Sequence, residues 1–255
     1  MFIMNSDKLN EQRRIKELAD RSYNNGQYLF SDFLSLAQQS AFHEIENELR
    51  FATPYLYGGC DICERKMIRF GNKDELGYEQ DFPIVALLIE PVAAKFSDDL
   101  NHRDFLGALM NLGIKREMLG DIFVKGNKAC VFCKDTIADY VIENLTRIKH
   151  TTVKVSKTSD IDDITAPILE EKTIQVSSVR VDAVVSRVYN LSRNNAIILF
   201  QTGLVYINGR ECTENAKSLK SKDIVSVRGY GKFEYWGEQN LSKKGKINCK
   251  VKIYK

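Results

Sequence analysis

The chain has 255 residues, of which 44% are hydrophobic and 28% are charged, a composition typical of a globular protein with one large domain or two to three small ones. Its longest apolar run, at 84–89, has the length of a strand, whereas a membrane helix needs about 20 apolar residues. The sequence turns polar after Met4. We therefore expect no secretory signal peptide, a cytoplasmic location and no membrane partner.

Charge is distributed unevenly along the chain. Residues 180–255 contain 15 Lys and Arg and 6 Asp and Glu, a net charge of +9, whereas residues 1–179 contain 22 and 28, a net charge of −6. A basic module on an acidic body indicates a polyanionic partner, because Lys and Arg bind phosphate groups at close range.

The N-terminal part has the apolar spacing of helices. Apolar side chains recur at helical intervals over 10–19 and 30–51, and Ser31 is a candidate N-cap of the second helix. A Gly-Gly pair at 58–59 interrupts the pattern. The sequence therefore predicts a helical N-terminal subdomain over 1–75.

The middle part alternates between strand-like and helix-like patterns. The order strand, helix, strand, strand, helix, strand is that of a ferredoxin-like, or RRM-like, domain over 76–156, and it makes the protein α+β. A polar, acidic segment at 157–176 follows and is predicted to be a linker. The elements of the middle domain are predicted at 83–90, 101–112, 121–124, 129–133, 135–148 and 151–155.

The C-terminal domain, 177–255, is predicted to place two short helices beside a small sheet. Arg180 lies at the start of the first helix, and Ser192 is predicted to cap the second helix, which begins with Arg193. The Asn-Gly pair at 208–209 is the strongest signal for a two-residue type I′ hairpin turn.

This domain contains short groups of residues at characteristic spacings. The groups are Arg180-Val181-Asp182, Leu191-Ser192-Arg193, Ala196, Gly203-Leu204-Val205, Ile207-Asn208-Gly209, Asp223-Ile224-Val225 and Val227-Arg228-Gly229. Together they resemble the ribosomal protein S-four type RNA-binding domain, the αL motif. Lys222 stands where that family usually has Gly, and Val181 where it usually has Leu.

Further groups lie upstream of this domain. They are His102-Arg103-Asp104-Phe105-Leu106-Gly107-Ala108-Leu109, Gly113-Ile114-Lys115-Arg116-Glu117, Gly120-Asp121-Ile122, Gly58-Gly59 and Glu64-Arg65-Lys66. They are similar to the middle and N-terminal domains of the YlmH family. This resemblance implies a protein that binds the large ribosomal subunit with tRNA, in ribosome-associated quality control of stalled nascent chains.

The resemblance also indicates which residues contact RNA. Arginines at helix starts bind phosphate and stack on bases or sugars. The candidate RNA-binding residues are Arg180, Arg187, Ser192, Arg193, Arg228 and Lys232.

Two other groups have two interpretations. The cluster Lys243-Lys244-Gly245-Lys246 is either a charged hairpin or a phosphate clamp. His102 and Arg103 either pack and cap a helix start or contact RNA from the middle domain.

The cysteines suggest a metal site that their arrangement disfavours. Cys60/Cys63 and Cys130/Cys133 form two CxxC pairs, which contain the four thiolates of a zinc site. The pairs lie far apart in the sequence, and a strand directs residues i and i+3 to opposite faces. We therefore expect no metal and interpret these cysteines as packing residues.

Catalytic motifs are also missing from the sequence. It contains neither a P-loop nor a dinucleotide-binding glycine motif, and its three His residues are scattered. The string His102-Arg103-Asp104 resembles a kinase catalytic loop, but Leu109 occupies the position of the required Asn. We expect no catalytic residue and no cofactor.

The leading hypothesis is a non-enzymatic protein that binds rRNA and tRNA on the large ribosomal subunit, and we expect it to be a monomer. Two alternatives stay open. One is an RNA-modifying enzyme, a pseudouridine synthase or methyltransferase with an appended S-four module. The other is a regulatory interaction protein of cell division.

Overall fold

The computed structural model describes residues 2–93, 95, 97–242 and 245–254, with side chains from residue 6 onward. The architecture is α+β and divides into two compact units, Met1–Ala166 and Pro167–Lys255, here called the N-terminal and C-terminal units. None of the helices in the described part of the chain combines the length and the apolar character that crossing a bilayer requires.

The first part of the N-terminal unit contains strands as well as helices. Three short antiparallel strands form a sheet in the order β1-β3-β2, so the prediction of a helical subdomain over 1–75 is corrected. Only Met67–Phe70 is a strand candidate from its sequence, whereas the other two strands, of two and three residues, are too short to show an alternating pattern. The elements are α1 (Phe2–Asn25), β1 (Leu29–Phe30), α2 (Leu36–Ile45), a 3-10 helix (Glu46–Ala52), β2 (Tyr55–Tyr57), β3 (Met67–Phe70) and α3 (Lys73–Leu76).

Helix α2 begins later than predicted. Ser35, not Ser31, is its N-cap: the Ser35 hydroxyl accepts from the Gln38 amide, and the Gln38 side chain accepts from the Ser35 amide, which is a capping box. Ser31 is buried, and its hydroxyl accepts a hydrogen bond from the Ile68 amide at 2.8 Å. A serine hydroxyl can accept a hydrogen bond from an amide of a strand as well as from an amide at a helix start. Only the tertiary structure decides which of the two it does.

The predicted order of elements in the middle part is observed. An antiparallel sheet has the strand order β5-β6-β4-β8-β7. The second predicted helix, 135–148, ends at Asn144, because a two-residue strand follows it. The elements are β4 (Ile84–Pro91), α4 (His102–Asn111), a 3-10 helix (Arg116–Met118), β5 (Leu119–Lys125), β6 (Lys128–Lys134), α5 (Asp135–Asn144), β7 (Arg147–Ile148), β8 (Thr151–Lys157) and α6 (Asp162–Thr165).

This sheet buries both of its faces. One face packs against α4 and α5, with Leu87 and Val131 in the same cluster as Phe105 and Val141. The other face packs against the first part of the unit, where Cys130 and Phe132 join a cluster with Phe33 and Met67. Phe132 is only 2% exposed, so it is a core residue and not part of a base-stacking platform.

The C-terminal unit consists of two helices on one face of a six-stranded antiparallel sheet. The strand order is β11-β10-β12-β13-β14-β9, and the core joins valines of the first helix to Phe200 and Phe233. Asn208 and Gly209 both have positive φ, 51° and 77°, as the predicted type I′ turn requires. The elements are β9 (Leu169–Val176), α7 (Val181–Val188), α8 (Arg193–Gln201), β10 (Val205–Ile207), β11 (Arg210–Glu211), β12 (Ile224–Val227), β13 (Gly231–Leu241) and β14 (Ile247–Tyr254).

The prediction of a linker at 157–176 is wrong in its second half. Strand β9 lies there and pairs with β14 along its whole length, from Leu169 opposite Tyr254 to Val176 opposite Ile247. Its sequence is mostly polar because it is an edge strand whose outer residues face solvent. Its partner strand lies about 75 residues later, so no local pattern indicates the pairing.

We predict that Gly59→Ala destabilises the N-terminal unit by about 2–4 kcal/mol, since it combines backbone strain with overpacking. Gly59 has a φ of +103°, and a Cβ built there would lie 2.3 Å from Phe132 Cδ1. The matched control is Gly107→Ala in α4, where a Cβ meets no atom within 4 Å and helix propensity favours Ala. Urea unfolding measures both changes, and equal stability of the two variants would contradict this account of Gly59.

Candidate nucleic-acid interface

A buried carboxylate organises the start of α7. The side chain of Asp182 is 0% exposed, and its Oδ1 accepts hydrogen bonds from the Ala183 amide at 2.8 Å and from Arg180 Nε at 3.1 Å. Its Oδ2 accepts from Arg180 Nη2 at 2.8 Å and from Asn215 Nδ2 at 3.1 Å. A buried charge is stable only when it is paired and hydrogen-bonded, and these four bonds satisfy that condition.

A second arginine approaches the same carboxylate. Arg193 Nη2 lies 3.9 Å from Asp182 Oδ2. Arg193 is the first residue of α8, and Ser192 caps that helix by accepting a hydrogen bond from the Asn195 amide at 3.1 Å. The predicted cap is thereby confirmed.

The resulting site carries excess positive charge at the surface. The side chains of Arg180 and Arg193 are 34% and 57% exposed, whereas the carboxylate between them is inaccessible. Two guanidinium groups share one negative charge, and both lie at helix N-termini, which also favour anions. The arrangement is chemically suited to an anion with several oxygen acceptors, such as a phosphate group.

The remaining candidates lie on other elements. Arg187 is exposed in the last turn of α7. Arg228 is exposed after β12, where its amide donates to the Leu204 carbonyl oxygen at 2.9 Å. Lys232 lies in β13 with its Nζ 4.4 Å from the centroid of the Tyr254 ring. The structure therefore joins Arg180, Ser192 and Arg193 through the helix starts, and places the other three candidates elsewhere in the unit.

Two features of the unit were not predicted as parts of a site. Asn215 reaches Asp182 from a loop, and nothing in its local sequence indicates this contact. On the face of the sheet opposite the helices, Lys252 Nζ lies 3.6 Å from the centroid of the Trp236 ring, and Glu171 pairs with both Lys250 and Lys252. The single Trp, followed by alternating lysines in the next strand, could have signalled this aromatic and basic patch. Glu171, which pairs with both lysines, lies in β9, which was not predicted.

The structure describes the helix start at His102 and Arg103 and part of the lysine cluster. Helix α4 is capped by Asn101, whose side chain accepts from the Arg103 amide at 2.9 Å, and His102 and Arg103 are exposed at its start. Capping therefore belongs to Asn101 and not to His102. In the lysine cluster, Lys243 and Lys244 lie outside the described residues.

The two CxxC pairs do not come together as a set of four. Cys130 packs in the cluster between the sheet and the first part of the unit, together with Cys60 and Cys63. Cys133 lies on the opposite face, in the cluster with α4 and α5. The predicted alternation along this strand is confirmed, and no arrangement of three or more metal-ligating side chains occurs among the residues that the structure describes.

We predict that Asp182→Ala destabilises the C-terminal unit by about 2–3 kcal/mol, less than a fully buried ion pair would give, because Arg180 is partly solvated once unpaired. The control is Glu171→Ala, which removes a carboxylate that is 52% exposed and paired with two lysines and should change the stability much less, because exposed ion pairs contribute little. Urea unfolding of the full chain measures both. An equal, small effect of both substitutions would refute the organising role of Asp182.

Known proteins resemble the chain along most of its length. Residues 78–162 match the family model described as the putative RNA-binding domain in YlmH. A curated relative, the "Ribosome-associated protein quality control protein P2" of Bacillus subtilis (strain 168), is 29% identical over 218 residues, which are 85% of this chain and 83% of the relative. A solved structure, the "Cell division protein ylmH from Streptococcus pneumoniae", is 13% identical with a TM-score of 0.48, covering 63% of this chain and 94% of that one.

The last of these similarities is too low to support an argument about the fold. The first two are independent of it and agree with each other, one across the middle sheet and the other along most of the sequence. The chain is thus similar to YlmH proteins over its middle sheet and to a ribosome-associated quality control protein along most of its sequence.

Proposed function

We propose that this protein binds RNA on the ribosome without acting as an enzyme, through an S-four type C-terminal domain and a ferredoxin-like middle domain. Its target is rRNA and tRNA of the large subunit, in the quality control of stalled nascent chains. The observation that carries the proposal is the pair of partly exposed arginines held at two helix starts by the buried carboxylate of Asp182.

This pair suits a phosphate backbone for a physical reason. Binding normally costs the entropy of immobilising long side chains, about 0.5–1.5 kcal/mol for each. Arg180 is already fixed by two hydrogen bonds to Asp182, so part of that cost is met in the free protein. The net charge of +9 over 180–255 adds a long-range attraction for a polyanion.

The related proteins support the same proposal of RNA binding on the ribosome. The matched family model is described as an RNA-binding domain, and the curated relative is named for ribosome-associated quality control. Because that relative matches 85% of this chain, we extend its role to this protein.

The chemistry of the site supports binding over catalysis. Both oxygens of Asp182 accept hydrogen bonds from the protein itself, and the side chain is 0% exposed, so the carboxylate positions its neighbours and does not face a substrate. We assign no catalytic residue and no cofactor to the protein.

Crosslinking of RNA in cells tests the proposal. The wild-type protein should crosslink to large-subunit rRNA and tRNA, and Arg193→Glu should reduce the crosslinks about tenfold or more, because loss of a phosphate contact and added repulsion together cost at least about 1.4 kcal/mol. The matched control is Arg13→Glu, the same charge change at an exposed position of α1, which should leave the crosslinks unchanged.

The crosslinking results test the proposed function and the assignment of Arg193 separately. A wild-type protein without rRNA or tRNA crosslinks would refute the proposed function. Crosslinks that survive Arg193→Glu would leave the function standing and remove Arg193 from the interface.

We also predict a defined salt dependence for the purified protein. The logarithm of its affinity for isolated large ribosomal subunits should fall linearly with the logarithm of the salt concentration. Arg193→Ala should reduce the magnitude of this slope by about 0.7–0.9, the value for one phosphate contact. Titration between low and moderate salt measures both slopes. An unchanged slope with weaker binding would mean that Arg193 acts without touching a phosphate.

A further inference from the structure

The loop between β2 and β3 contains a pair of cysteines that the proposed function does not use. We call residues 58–63 the thiol loop. Cys60 is partly exposed and Cys63 is 3% exposed, and both residues lie in the same apolar cluster. The Cys63 amide also donates to the Cys60 carbonyl oxygen at 3.2 Å, so a tight turn brings the two side chains together.

The thiol loop is held firmly at both ends. At its start, a Cβ on Gly58 would lie 2.4 Å from the Arg65 carbonyl oxygen, and Gly59 packs directly on the Phe132 ring. Just after its end, the Asp121 carboxylate accepts hydrogen bonds from the amides of Glu64 and Arg65. The turn that places Cys60 beside Cys63 is therefore held by contacts on both sides.

The two thiols differ in the way that thiol–disulfide exchange needs. Interaction with the Cys63 thiol and with the backbone of Ile62 and Cys63 lowers the pKa of Cys60, and Cys60 is the more exposed of the two residues. Interaction with the Cys60 thiol, together with burial, raises the pKa of Cys63. A more acidic thiol at a partly exposed position beside a buried thiol is the arrangement of a nucleophile and its resolving partner.

The neighbouring Cys130 is a poorer partner. It lies in β6, 0% exposed, within the same apolar cluster. It comes from a separate strand, whereas Cys63 is joined to Cys60 by a backbone hydrogen bond within one turn. Cys63 is thus the partner that the geometry selects.

We propose that Cys60 and Cys63 form a reversible dithiol–disulfide site that reacts with low-molecular-weight disulfides. The Cys60 thiolate attacks one sulfur of the small disulfide, forms a mixed disulfide and releases one small thiolate. Cys63 then loses its proton and attacks the Cys60 sulfur, which releases the second small thiol. Two protein thiols are oxidised, and one small disulfide is reduced to two thiols.

The sequence provides an internal control for the test. Trypsin releases residues 51–65, which contain Cys60 and Cys63 and no other cysteine, and residues 129–134, which contain Cys130 and Cys133. Both peptides carry the same CxxC spacing. The second pair lies on opposite faces of a strand and cannot form a bond without unfolding it.

The experiment equilibrates the full chain in glutathione buffers of increasing oxidised fraction, quenches it with acid, alkylates it in denaturant and digests it. We expect peptide 51–65 to escape alkylation and lose two hydrogens, in buffers where peptide 129–134 stays doubly alkylated. Cys63→Ser should leave a glutathione adduct on Cys60, and Cys60→Ser should leave Cys63 fully alkylated.

Two results would overturn the proposal. The first is double alkylation of peptide 51–65 in every buffer, and the second is a lasting glutathione adduct on wild-type Cys60. Should Cys63→Ser fail to fold, the wild-type peptides decide alone.

Discussion

The proposed function depends on one buried carboxylate. Asp182 has no contact with solvent, yet it fixes Arg180, approaches Arg193 and reaches Asn215 in a distant loop. Charge in a low-dielectric site is stabilised only by close partners, so these groups are drawn to the helix starts by the cost of leaving Asp182 unpaired. The same constraint leaves the outer parts of two cations at the surface, where an anion can reach them.

The N-terminal unit follows a different principle. Its middle sheet is buried on both faces, by its own helices on one side and by the first part of the unit on the other. The face of the sheet that an RRM would offer to bases is instead part of a core, in which Gly59 packs against the Phe132 ring. This packing also immobilises the thiol loop, so the features that remove a stacking platform create the conditions for a dithiol site.

Local features were predictable from the sequence because their physics is local. Ser192 caps α8, and Asn208-Gly209 turns a hairpin, since each depends on residues within a few positions. The order of elements over 76–156 also followed from hydrophobic periodicity. Ser31 shows the limit: a capping residue type placed before an apolar pattern bonds instead to Ile68 in another strand.

By itself, the sequence determined the α+β class, the charged C-terminal module and the residues at the helix starts, because composition, periodicity and capping are properties of neighbouring residues. Only the tertiary structure decided that β9 completes a sheet, that Asp182 joins two arginines and that Cys60 shares a cluster with Cys130 while Cys133 faces away. Strand pairing and ion pairing between distant segments depend on how the whole chain closes its core, and the loop closure that they require leaves no local pattern.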